Sequence, residues 1–327
     1  MSCENRFSFG RKTSNAALYN RRRKNDRCKK FGINKRKAMS LEIRKIDAPL
    51  GAEVIGINLC NPISEDDKKT LYQAWLDNIC LVFRNQNLTK DEQINVASIF
   101  GKVGERATPK KRRNEDKHGY DGTIMMVSND RDKAGNYTGS LPDGEMWWHH
   151  DMSYRPEPHK ATFLHGLEIP SHGGETQLSN MYLAYEQIPS KLKTKIINKK
   201  VLQAYDFALR GRVNLSEKGL ENIQHQWQPI CILHPETKRT ALYVSRLISA
   251  SIEGLEPTES FEILEQLYEI SENRSVVYEH SWQKGDLLMW DNRCSIHARK
   301  TFPSEQRRVL RRCTVEGGPM ISADAVA

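Results

Sequence analysis

The strongest limit on how this chain folds is its many short strand-like runs, each ended by turn chemistry. Such runs fall at 41–59 (with Gly51 and Gly56 as turns), 79–83, 161–168, 176–179, 230–233, 241–247, 276–282, 286–290 and 308–315. Helical patterns are fewer. Ser64, ahead of Glu65-Asp-Asp67, caps a helix that places Leu71, Ala74 and Trp75 on one face, and Thr89-Lys-Asp-Glu92 forms a capping box before Ile94, Ala97 and Phe100. Asn180 caps a third helix that Pro189 interrupts, with Ser190 capping its continuation, and 258–270 is a fourth with Phe261, Leu264 and Leu267 inward. No internal repeat is present. Many short strands with few helices specify a mainly β domain with flanking helices, a barrel or sandwich, rather than a doubly wound parallel sheet.

Within this pattern the text Trp148-His-His-Asp151 follows the turn Asp143-Gly144. On an extended strand residues i and i+2 share a face, so His149 and Asp151 point together and His150 points away. A third group from elsewhere, His297, completes one face of a metal and leaves the opposite face open. Two histidines and a carboxylate so arranged form the facial triad of non-haem Fe(II) sites. A lone His-x-Asp has little specificity, and the case rests on its companions. The histidines at 118, 159, 165, 172, 225, 234 and 280 have no partner at metal-ligand spacing and read as structural or surface groups.

Two companions stand out. In Gln306-Arg-Arg-Val-Leu-Arg-Arg312, a strand places Arg308 and Arg312 on one face, roughly 13 Å apart. Inward guanidinium groups call for anions, and their fork matches a carboxylate. Arg307 and Arg311 face the other way, toward solvent. In Gly173-Gly-Glu-Thr176, a tight turn delivers a hydroxyl that can donate to an anion.

Taken with Gly285-Asp-Leu-Leu-Met-Trp-Asp-Asn-Arg293, these stretches resemble the TauD/TfdA family of Fe(II)- and 2-oxoglutarate-dependent dioxygenases, over roughly 41–316. The resemblance implies a double-stranded β-helix (jelly-roll) core. It implies that His149, Asp151 and His297 ligate Fe(II), and that Thr176 and Arg308 hold the distal carboxylate of 2-oxoglutarate. Arg312 would lie near the metal-chelating carboxylate and the substrate anion, with Trp290, Asp291, Asn292 and Arg293 as supporting groups. It also implies O2-dependent hydroxylation with release of succinate and CO2. The substrate is expected to be a small anion, a carboxylate or sulfonate, with Tyr243 and Arg246 as candidate pocket residues. Around 286–293 the text is nearer the aryloxyacetate branch than the taurine branch. Taurine or another alkylsulfonate is the alternative substrate.

The net charge of +9 is unevenly distributed. Residues 1–38 carry 13 Lys/Arg against two acids, and the remaining residues carry 37 against 39. This basic leader has no apolar periodicity and no apolar signal core, so disorder is expected. It can be read as a transit peptide, a nucleic-acid-binding arm, or an upstream extension with Met39 as the working start. The abrupt start of ordered-looking text at Ser40-Leu-Glu-Ile-Arg44 favours the last and places the single catalytic domain at 41–318. A nucleic-acid-binding or modifying protein is the alternative of another class, supported by the leader and Lys110-Lys-Arg-Arg113. The near-neutral body argues against it, because duplex binding is dominated by cationic contacts. The polar segment 105–120 reads as a loop, either a lid or a solvated connection. A catalytically silent zinc module is a third reading. No window reaches the about 18 apolar residues of a spanning helix, so no membrane partner is expected. Seven scattered cysteines without a C-x-x-C pair fit reduced thiols in the cytoplasm. Self-association into a homo-oligomer stays open.

Overall fold

The computed structural model describes residues 40–108, 122–209, 211–214 and 219–323. The basic leader, and all of the 105–120 loop beyond Thr108, lie outside the described residues.

Sixteen strands follow in chain order among the described residues. They are β1 (Glu42–Lys45), β2 (Ala52–Ile55), β3 (Cys80–Phe83), β4 (Met125–Ser128), β5 (Met146–His149), β6 (Ala161–Glu168), β7 (Thr176–Asn180), β8 (Lys200–Tyr205), β9 (Gln224–Pro229), β10 (Cys231–Leu233), β11 (Thr240–Leu242), β12 (Ser249–Ile252), β13 (Val277–His280), β14 (Leu287–Asp291), β15 (Ser295–Arg299) and β16 (Val309–Val315). The helices are α1 (Glu65–Asn78), α2 (Lys90–Ser98), α3 (Met181–Gln187), α4 (Ser190–Ile196) and α5 (Pro257–Ser271). A seven-stranded sheet runs β1-β2-β3-β14-β6-β16-β4, and a four-stranded sheet runs β13-β7-β15-β5. A three-stranded sheet, β12-β8-β9, and the hairpin β10-β11 complete the set.

Strand alternation decides what each face meets. Leu164, Leu288 and Leu310 of the large sheet share one apolar core with Leu178, Tyr278 and Ile296 of the four-stranded sheet. Their sequence neighbours Phe163, Leu287, Met289 and Val309, with Cys313 further along β16, turn to the other face and pack with Leu71 and Trp75 of α1 and Val96 and Ala97 of α2. Two sheets thus enclose a core, with helices outside the larger one: a double-stranded β-helix with flanking helices.

The local caps hold. Ser64 accepts from the Asp67 amide, and the Thr89–Glu92 capping box is complete. Three local expectations need correction. Ser190 is the first helical residue of α4 rather than its cap, and Pro189 occupies the cap position without a side-chain bond. Phe261 is 54% exposed. The buried stripe of α5 runs through Ser260, Ile263, Leu264, Leu267, Tyr268 and Ser271, which leaves Phe261 at its outer edge. The strand expected over 241–247 stops at Leu242.

Candidate metal centre and its cavity

β5 and β15 pair antiparallel with His149 opposite His297, and the two imidazole rings lie 4.1 Å apart between centroids. β5 ends at His149, so Asp151 is not on that strand as alternation assumed; it sits in the turn that follows. The turn still brings the carboxylate back. Asp151 Oδ1 lies 3.9 Å from Nε2 of His149 and 3.9 Å from Nε2 of His297. One ligand atom from each of the three residues falls within 4.8 Å of the others.

The surroundings turn the lone pairs inward. His149 Nδ1 is 2.8 Å from the Trp147 carbonyl, an acceptor only, so the ring proton sits on Nδ1 and Nε2 faces the carboxylate unprotonated. Burial holds both imidazoles below the ordinary histidine range and hence neutral at pH 7. For Asp151, burial pushes the carboxyl up, but Arg312 and the two histidines outweigh it and hold it well below the usual range. Two neutral imidazoles and one carboxylate are a donor set for a divalent cation of borderline character. Trp290 packs its ring 4.7 Å from that of His297 and fixes its tilt.

The triad opens onto a cavity of about 350 Å³ that Thr176, Arg308, Arg312 and Trp290 also line. Arg308 is 2% exposed and precedes β16; its Nη2 donates to the Gly174 carbonyl at 2.9 Å. Its Nε has no hydrogen-bond partner among the described residues. Burial and the neighbouring Arg299 charge lower its guanidinium pKa, and Glu175 offsets this only in part. The guanidinium passes directly over the turn: a Cβ at Gly174, whose φ is +70°, would lie 2.7 Å from Arg308 Nε. Thr176 Oγ1 accepts from Trp282 Nε1 at 3.1 Å, so its own proton is available to another acceptor. The orphaned Nε and this available hydroxyl fit a carboxylate at this end of the cavity.

Arg312 reaches the cavity but is committed there, with Nη2 2.6 Å from Asp151 Oδ2. Arg307 is exposed and pairs with Asp130 and Glu168. Arg311 corrects the sequence expectation, being buried rather than solvated. It donates to Gln93 of α2 and to the Leu88 carbonyl, because helices cover that face of the sheet.

The two candidate pocket residues are not in the cavity wall. Tyr243 is buried behind it, its ring 4.1 Å from that of His150. Arg246 points to α5 and is held by Glu265 at 2.7 Å and Glu272 at 2.9 Å. Asp291, Asn292 and Arg293 lie behind Trp290, all buried. His234 and His280, read as structural or surface groups, are buried structural ones, and each meets a carboxylate, Asp291 and Asp286, at 3.1 Å. Three groups at the site escaped sequence reasoning. Thr162 donates to Asp151 Oδ2. Arg299, two residues beyond His297, lines the cavity and donates to the carbonyls of Leu141, Asp143 and Gly144. Arg106 is 5% exposed and lines the cavity too. The same-face spacing from His297 was the one signal that could have found Arg299.

The model of the taurine catabolism dioxygenase TauD, TfdA family matches residues 42–314. An (S)-phenoxypropionate/alpha-ketoglutarate-dioxygenase from Sphingobium herbicidovorans is 30% identical over 292 residues, 86% of this chain and 96% of that protein. An alpha-ketoglutarate-dependent 2,4-dichlorophenoxyacetate dioxygenase from Cupriavidus pinatubonensis is 29% identical, covering 84% of this chain and 98% of the relative. Among solved structures, a putative alpha-ketoglutarate-dependent taurine dioxygenase from Burkholderia xenovorans superposes with a TM-score of 0.71 at 24% identity, over 87% of this chain and 96% of that one.

Proposed function

The chain belongs to the TauD/TfdA dioxygenase family, and from that membership we propose that it uses Fe(II), 2-oxoglutarate and O2 to hydroxylate a small organic anion of the aryloxyalkanoate type. His149, Asp151 and His297 would hold the iron. Thr176 and Arg308 would seat the distal carboxylate of 2-oxoglutarate. When bound, the iron supplies the oxidative chemistry: 2-oxoglutarate, O2 and a substrate C–H give succinate, CO2 and a hydroxylated product. The protein's own part is positional. The Trp147 carbonyl keeps His149 in its ligating tautomer, and the ion pair with Arg312 keeps Asp151 ionised. The catalytic unit is the segment 41–318.

The observation that carries this reading is convergence on one cavity: three potential ligand atoms within 4.8 Å of one another, and an uncommitted buried guanidinium N–H at Arg308. The substrate class is read from the apolar part of the cavity lining. Met152, Tyr154, Leu247 and Ile248 form one apolar cluster there, with Ala107, Tyr205 and Phe207 packed against it. Tyr154 stacks on Tyr205 at 5.1 Å, and Phe207 meets Tyr205 edge-on at 5.0 Å. An aryl group is accommodated by such a wall, whereas taurine, small and zwitterionic, leaves it unfilled. Arg106 lines the same cavity.

No described helix is long and apolar enough to cross a membrane. Cys80, Cys294 and Cys313 are buried free thiols, which supports a reducing compartment such as the cytoplasm.

The test is anaerobic addition of Fe(II) and 2-oxoglutarate, followed by succinate release with aryloxyalkanoates and alkylsulfonates. A visible chelate absorption band that His149→Ala abolishes is expected, with succinate release coupled to aryloxyalkanoates. A band that persists unchanged in His149→Ala overturns the metal assignment, and faster turnover with taurine overturns the substrate class.

A further inference from the structure

Thr162 is a fully buried hydroxyl at the start of β6, 11 residues beyond Asp151 in the chain and with no place in the sequence motifs. Its hydrogen bonds have a definite direction. Asn292 Nδ2 lies 3.0 Å from Thr162 Oγ1 and 3.1 Å from the His159 carbonyl. A carbonyl only accepts, so the amide NH2 of Asn292 faces both groups and Thr162 Oγ1 must accept from it. A threonine hydroxyl has one proton, and the remaining close partner is Asp151 Oδ2, so Thr162 donates there.

Arg312 Nη2 donates to the same oxygen at 2.6 Å. Oδ2 therefore takes two donors from opposite parts of the chain, one neutral and one charged. Oδ1 is the oxygen left facing the two imidazoles, 3.9 Å from each Nε2.

We propose that Thr162, oriented by Asn292, is a positioning residue that makes Asp151 a one-oxygen ligand. It holds Oδ2 away from the metal and presents Oδ1 to it. Arg312 alone cannot do this, because a guanidinium fork binds either one carboxylate oxygen or both. The second donor on Oδ2 removes the two-oxygen alternative and the rotation about the Cβ–Cγ bond. Asn292 has a definite part in the relay, since its amide sets the direction of the Thr162 hydroxyl.

This inference rests on the metal reading of the triad, and the experiment separates the two. Co(II) is titrated anaerobically into the full chain, with its visible d–d absorption as the readout, so turnover is not required. Wild type should bind one Co(II), and His149→Ala should not. Thr162→Val keeps the shape and loses the hydroxyl, and should weaken Co(II) roughly 10–100-fold and change the band shape. Thr162→Ser should restore affinity to within a few-fold of wild type. Asn292→Ala, measured in the same way, should weaken binding by less than Thr162→Val, and it carries the test if that variant does not fold. Folded Thr162→Val or Asn292→Ala protein with wild-type affinity and spectrum overturns the relay while leaving the metal site standing. Wild type that binds Co(II) no better than His149→Ala overturns the metal reading itself.

Discussion

Two clusters of similar composition contrast with each other. His149, Asp151 and His297 form one; His234, Asp291 and Cys294 form the other, and in each the potential ligand atoms fall within 4.8 Å. Their lone pairs have opposite fates. Asp291 Oδ1 accepts from the backbone N and Nε of Arg293, both at 2.9 Å; Oδ2 accepts from Arg293 Nη2 at 2.6 Å and faces His234 Nε2 at 3.1 Å. That fills a carboxylate's four acceptor sites. His234 Nδ1 accepts from the amides of Glu236 and Thr237, so its proton is on Nε2 and it too has nothing left for a metal. Burial pushes the Cys294 thiol well up, which keeps it protonated. Proximity of ligating residue types is therefore a poor criterion for a metal site. The criterion is whether the neighbours leave inward-facing lone pairs, and only the first cluster among these two meets it.

Metal titration of paired histidine variants breaks this comparison most directly. His149→Ala should lose Fe(II) or Co(II) binding altogether, by more than the roughly 10–100-fold that loss of an outer hydrogen-bond partner costs. His234→Ala should retain full binding stoichiometry and lose fold stability instead. The reverse pattern would mean that the two clusters have exchanged roles. Next in size is Asp291→Ala, which strands the buried Arg293 cation with only Glu236 beside it. Breaking a buried pair costs about 3–5 kcal/mol. Urea unfolding should show a loss of that order, with metal affinity little changed in the folded protein; a loss under about 1 kcal/mol would show that Glu236 alone sustains Arg293.

The same contrast explains what could be read in the chain text. Local signals were legible. Ser64 and Thr89 act within three residues of themselves, and alternation placed Arg308, Leu310 and Arg312 on one side of one segment. Alternation names a side but not what covers it, so Arg311 was expected in water and is buried against Gln93 of α2, 218 residues away in sequence. The Asp291–His234 pair spans 57 residues and the Asn292–Thr162 bond 130, separations at which no periodicity operates. Asp151 reaches the triad from a turn rather than from the strand that first suggested it. Tyr243 and Arg246 fall outside the cavity wall although Leu247 and Ile248, just beyond them, line it. The strand ends at Leu242, Tyr243 packs on His150, and Arg246 pairs with Glu265 of α5 and Glu272 at its end.

Arg308 differs from Arg293 as the first cluster differs from the second: one guanidinium keeps an unpartnered Nε, while all three nitrogens of the other are hydrogen-bonded to carboxylates. Hydrogen bonds to charged groups contribute about 1.5–3 kcal/mol. Arg308→Ala should therefore weaken 2-oxoglutarate roughly 10–100-fold in titrations of the anaerobic chelate band. Co(II) affinity in the absence of 2-oxoglutarate should hold. An unchanged 2-oxoglutarate affinity would remove Arg308 from the cosubstrate seat.

The smallest effect concerns a histidine of the saturated kind. Arg311 Nη2 lies 3.1 Å from His165 Nδ1, and guanidinium only donates, so Nδ1 accepts and Nε2–H donates to the Gln86 carbonyl at 3.0 Å. A second proton on this ring would oppose Arg311. Burial, with the Arg311 charge, brings the His165 pKa down to about 4. The sign follows from linkage. Between pH 6.5 and 4 the unfolded chain binds a proton on this residue and the folded chain does not, so stability falls as pH falls through that window and is unaffected by this group above it. By pH 5 the loss should be about 2 kcal/mol relative to pH 7. His159, also brought to about 4, adds to the total in wild type, so the measured quantity is a difference between proteins. His165→Gln has no proton to gain. Its urea-derived stability should fall less than that of wild type between pH 7 and pH 5, by the share that His165 contributes. Equal slopes in the two proteins would show that His165 accepts its second proton in the folded state, and that a ring with both nitrogens engaged is not thereby fixed as neutral.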